Sequence, residues 1–117
     1  MDNTELVDAL CKASVRLREA RRMHIRDYGI LLPHVFMGEV LKRVGHCLAL
    51  VATHDLDAYA AELAEILEML ERGMAEGDRE TRDVVAFSFA RDSETERFFG
   101  ELVPLLGPRT RAQLSER

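Results

Sequence analysis

The chain has 117 residues, 47% hydrophobic and 32% charged, with a formal net charge of −5. That is enough for a single domain with one core and too apolar for a disordered segment. It is also too acidic for a general nucleic-acid binder, whose affinity rests on neutralising phosphates. The N-terminal MDNTELVDAL has no basic stretch followed by an apolar one. The longest apolar run, around Cys47–Ala52, is far below the roughly 20 residues a membrane span needs, so a cytoplasmic protein without membrane association is expected. Cys11 and Cys47 are the only cysteines and have no metal or redox spacing, which predicts two buried, reduced thiols.

Apolar residues recur at three- and four-residue spacing almost everywhere, which predicts an all-α, compact single-domain bundle of about five to six helices over 1–117. The first helix is expected from about Thr4 to Arg26. Leu6, Leu10, Ala13, Leu17 and Ala20 line one face, and Arg16, Arg18, Arg21, Arg22 and Arg26 lie away from it. Tyr28-Gly29 closes this element. Pro33 suits the first position of a second helix, expected to reach about Ala52, with Phe36, Val40, Val44, Cys47, Leu48 and Val51 as its apolar stripe. Gly45 beside that stripe predicts a close neighbour, and Glu39 four residues before Arg43 predicts a surface ion pair.

A third helix, capped by Asp55 or Asp57, carries Leu56, Tyr59, Ala60, Leu63, Ile66, Leu67, Leu70 and Met74 at helical spacing and stops at Gly77. Asp78 then caps a fourth helix, with Glu80 near its positive end. The Val84–Phe89 run could suit a strand, but the Asp cap and flanking charges favour helix. Ser93 and Glu96 have the spacing of a capping box for a fifth helix bearing Phe98, Phe99, Leu102 and Val103. Pro104 should kink or stop it, and Gly107-Pro108 starts a last short helix, about Pro108–Leu114.

Motifs of chemistry are scarce. His24, His34, His46 and His54 have no partner ligand at i+3 or i+4, so a metal-binding enzyme built on them is a minor alternative. Ser88 lies outside any Gly-x-Ser-x-Gly elbow and reads as a buried helical serine bonding the carbonyl four residues back. Neither a catalytic residue nor a cofactor is assigned. The arginines of the first helix offer a second alternative, a DNA-associated regulator, weakened by Glu19, Asp27 and the lack of stacking aromatics. The acids stand out more. From Asp55 to Asp83 ten Asp or Glu face three Arg, a local excess of seven negative charges against −5 for the whole chain. Such asymmetry steers basic partners, so Glu62, Glu65, Glu68, Glu71, Asp78, Glu80 and Asp83 are the candidate partner-binding residues.

Four landmarks carry a resemblance: Leu32-Pro33-His34-Val35-Phe36-Met37-Gly38, Glu76-Gly77-Asp78, Val85-Ala86-Phe87-Ser88-Phe89, and Leu106-Gly107-Pro108-Arg109-Thr110-Arg111-Ala112-Gln113-Leu114. Their order resembles a small uncharacterised all-helical bacterial family of toxin-immunity type and covers most of the chain beyond residue 30. The arginine-rich first helix is not part of it, and Ala90-Arg91-Asp92 departs from its pattern. The resemblance implies a non-enzymatic protein that neutralises a cognate toxin, and it implies no catalytic residues. With the acidic helices, it predicts a protein partner that has a basic surface.

Overall fold

The computed structural model describes residues 1–54 and 57–115, and no strand occurs among them. Helix α1 (Asn3–Ala13) opens with the reciprocal capping box of Asp2 and Glu5. Helix α2 (Val15–Tyr28) follows after one extended residue, Ser14 (φ −145°, ψ 119°). The expected single helix from Thr4 to Arg26 is therefore two helices. No Gly or Pro marks the break. Ser14 accepts the Leu17 N–H at 3.2 Å and donates its own hydroxyl to Glu62 Oε2 at 2.7 Å, which an unbroken helix would not permit.

Helix α2 ends at Gly29, whose φ of +77° places it in the left-handed region that favours glycine, with its N–H bonded to the Ile25 carbonyl. The turn into α3 (Pro33–His54) is held by His24. This buried imidazole accepts the Leu32 N–H on Nε2 at 2.9 Å and lies between Tyr28 and Phe36. Helix α3 begins at Pro33 as expected and runs through the middle of the molecule. It packs on α2, on α4 (Asp57–Glu76) and on the segment after α5. Gly45 admits the Phe98 ring so closely that a Cβ would stand 2.5 Å from it, which bears out the predicted close approach. The expected Glu39–Arg43 pair does not form. Glu39 lies 3.9 Å from Lys42, while Arg43 turns toward α4. The proposed cap Asp55 lies outside the described residues.

Helix α4 stops at Gly77, and Asp78 caps α5 (Arg79–Val85) by accepting the Thr81 N–H at 2.9 Å. Met1 folds back on this corner, its α-amino group bonding the Glu76 carbonyl and its carbonyl accepting the Asp78 N–H. The ambiguous apolar run is helical, but from Ala86 to Arg91 it widens into a π-helix with Phe89 fully buried. The Ser93–Glu96 capping box is absent. Ser93 is buried at the end of the preceding helix and gives its hydroxyl to the Ala90 carbonyl at 2.6 Å. Its hydroxyl oxygen caps no downstream N–H. The next helix, α6, is correspondingly short (Phe99–Leu102) and passes through a 3₁₀ turn at Pro104. Helix α7 spans only Pro108–Arg111, not the expected reach to Leu114.

One buried apolar cluster draws on α1 to α6 and is centred on Leu10, Phe36, Val40, Val44, Ile66, Leu70, Phe89 and Leu102. Met37 and both cysteines belong to it. The radius of gyration, 13.3 Å, is that of a close-packed chain of this length. Ser14→Ala should lower the unfolding free energy by about 1–2 kcal/mol through loss of the α2 cap and of the bond to Glu62. Urea denaturation of the two forms measures it.

Candidate interaction surface

The seven acids singled out in the sequence do not form one face. Glu62 is turned inward from α4 and bound by Arg43 of α3 through two parallel bonds, Nε–Oε2 at 2.6 Å and a terminal guanidinium nitrogen to Oε1 at 2.8 Å. Both side chains are largely buried, at 12% and 16% exposure, and the Ser14 hydroxyl completes the carboxylate. The Arg43 guanidinium also lies 5.6 Å over the Tyr59 ring. Glu71, about two and a half turns further along α4, caps α7. Its Oε2 accepts the Arg109 N–H, and its Oε1 accepts the Thr110 N–H and hydroxyl, all at 2.9 Å. Asp78 is the α5 cap. These three carboxylates hold the fold together.

Their titration reflects this. Arg43's hydrogen bonds pull the Glu62 carboxyl below its usual range against the opposing effect of burial, with the Ser14 bond adding to them. For Glu71, burial acts upward and is outweighed by the N–H groups of Arg109 and Thr110, so the net direction is again down. Asp78 is lowered by the Thr81 N–H. Burial, then the Glu62 charge, pushes the Cys47 thiol up to about 11, and burial raises Cys11 as well. Both thiols are free and inert toward thiolate chemistry at neutral pH.

The remaining acids face outward. Glu65 and Glu68 are exposed on α4, Glu80 is exposed in the first turn of α5, and Asp83 is half-buried. Glu65 lines the cleft between α4 and α1, beside Glu5, Asp8, Lys12 and Arg72. Glu68 lies on the opposite flank, at the rim of an apolar groove of about 490 Å³. The walls of that groove are Leu48 and Val51 of α3, Ala60, Leu63, Ala64 and Leu67 of α4, and Leu105 of the 3₁₀ turn. The sequence pattern assigned Leu48, Val51 and Ala60 to the core. They remain partly open because nothing among the described residues covers this end of α3 and α4.

Two other constellations differ from expectation. Ser88 is half-buried, and its hydroxyl meets His34 Nδ1 at 2.5 Å instead of the carbonyl four residues back. The π-helix shifts the register of hydrogen bonds there, so 3.6-residue spacing misplaces the side chain. The pair closes the start of α3 onto the π segment, and neither residue lines the groove or the cleft just described. On α2, Arg21 pairs with Asp8, Arg26 with Asp27 and Arg16 with Glu19, while Arg18 bonds the Cys11 carbonyl. Among the described residues, no group of three His, Cys, Asp or Glu could hold a metal ion, and no helix is long and apolar enough to cross a membrane.

No family model, curated protein or solved structure matches the chain.

A carboxyl with a lower pKa folded than unfolded stabilises the native state fully above its unfolded value, about 4.3 for Glu. That stability is lost as the pH falls through the folded value. Glu62 and Glu71 should therefore dominate acid unfolding below about pH 4–5. Glu62→Gln should cost about 2 kcal/mol at neutral pH and flatten the acid limb of a stability–pH profile. Gly107→Ala should free the C-terminal segment, because a Cβ there would stand 2.5 Å from the Glu71 carboxyl. Faster hydrogen exchange at the Arg109 and Thr110 amides, with α3 unaffected, is the expected signature.

Proposed function

We propose that the chain is a non-enzymatic protein-binding module that neutralises a basic partner in the manner of bacterial immunity proteins. The observation that carries this reading is the uneven use of charge. Glu62, Glu71 and Asp78 are bound internally, yet Glu65, Glu68 and Glu80 still project from α4 and α5. Of the three arginines on the same two helices, Arg72 is paired with Glu76 and Arg82 bonds the Gly77 carbonyl, and other arginines are engaged elsewhere. Arg43 is held by Glu62, and most of the α2 arginines are tied to neighbours on α1 or α2. The same local pairing weakens the nucleic-acid reading, since a phosphate-binding row needs guanidinium groups free to turn outward.

The order of sequence landmarks points to the same class, and a nuclease-type toxin with a phosphate-binding cleft has the complementary surface. An acidic inhibitor works there by occlusion and by steered association, which is fast and salt-sensitive. The test is binding to the product of the neighbouring gene and relief of its toxicity. Glu65→Lys with Glu68→Lys should slow association about tenfold at low salt, and the difference should shrink as ionic strength rises. Stopped-flow kinetics give both values. Unchanged association rates at low salt would remove the acidic surface of α4 from the interface.

A further inference from the structure

We infer that the apolar groove between α3 and α4 seats the apolar face of a basic amphipathic helix belonging to the protein partner. This rests on the proposed binding function and names the form the partner takes at this surface. The groove runs along α4 through Ala60, Ala64, Leu67 and Glu71, residues three to four apart that make a continuous track roughly 16 Å long. Facing it are Leu48 and Val51, and Leu105 (49% exposed) closes one side. The alanines leave room for a helix axis to approach closely, and a helix laid in such a groove presents side chains at i, i+3, i+4 and i+7.

Charge selects the occupant. The polar groups on the groove are carboxylates, and they differ in state. Glu71 is saturated by α7 and faces Arg109 at 3.6 Å, so that end is neutralised. Glu68 is exposed on the rim, and Asp57 is exposed in the first turn of the same helix. A helix with aliphatic side chains inward and Arg or Lys on its flanks satisfies both the apolar walls and the acids. An acidic or neutral helix satisfies only the walls. The groove is also open along its length, whereas small-molecule sites enclose most of their ligand.

The probe is a fluorescein-labelled synthetic helix with leucines at i, i+3, i+4 and i+7 and arginines flanking them. A control peptide has the same composition with the leucines scattered around the helix. Anisotropy titrations should show the patterned peptide binding about tenfold or more tightly than the control. Ala64→Trp, which fills the groove without changing charge, and Ala60→Lys, which opposes the arginines, should each weaken it by a similar factor. Both sites are exposed, and an unchanged melting temperature verifies the fold.

Equal binding of the two peptides, or binding indifferent to both variants, overturns the inference. If binding falls only with Glu65→Lys and Glu80→Lys, the groove is excluded while the acidic-surface reading stands. If neither set of variants affects it, both readings fall. Concentration-dependent dimers in sedimentation that Ala64→Trp dissolves would make a second copy the occupant. Saturation by octylamine with the same Ala64→Trp sensitivity, but without peptide binding, would make it a small-molecule site. Either result also overturns the proposal.

Discussion

The bidentate contact between Arg43 and Glu62 determines how the bundle is assembled. It joins the middle of α3 to the second turn of α4, and through the Ser14 hydroxyl it reaches the joint between α1 and α2. A largely buried ion pair contributes less net stability than its distances suggest, because desolvation offsets much of the attraction. Its geometric effect is larger. Two planar groups that share parallel hydrogen bonds tolerate little sliding or rotation, so they fix the register of α3 against α4. With Ser14 also bonded to Glu62 Oε2, the direction in which α2 leaves α1 is tied to a residue 48 positions away.

That dependence explains what the sequence revealed and what it hid. Features governed by neighbours in the chain were legible: Pro33 at the start of α3, the Gly77 stop, the Asp78 cap and the apolar spacing of α4. Features governed by distant partners were not. Ala13-Ser14-Val15 contains no Gly or Pro, and the break is held by the Ser14 cap on Leu17 together with its bond to the distant Glu62. Ser93 has the right spacing for a capping box, but the π-helix before it carries the chain one residue further and gives the hydroxyl to Ala90. Gly45 is intermediate, since its small size predicted a close neighbour without naming Phe98.

The same division runs through the candidate surface. Counting acids between residues 55 and 83 locates the negative region correctly but overstates how much of it is available. Helix-facing periodicity alone separates Glu62 only weakly from Glu65, and nothing local signals that Glu71 will serve the end of the chain. Carboxylates that face partners inside the molecule are set by tertiary structure, and only the residual charge is presented outward. Beside it, Leu48 and Val51 look like core residues in the sequence because their stripe is continuous with Val40 and Val44. They become surface where the covering elements run out.

The π-helical segment has a consequence for how this chain can change length. A π turn is an α-helix with one residue inserted, held by hydrogen bonds one step longer. Loss of a single residue between Ala86 and Arg91 can be absorbed by return to α-helical register, leaving Ser93 and the C-terminal helices in place. Loss of one residue in α4 would rotate every later side chain by about 100° and carry Glu71 away from α7. Insertions and deletions are thus tolerated unevenly along the molecule. The most permissive point is where Ser88 meets His34, so a one-residue change there would re-aim Ser88 and Phe87 on the surface while the bundle beneath stayed the same.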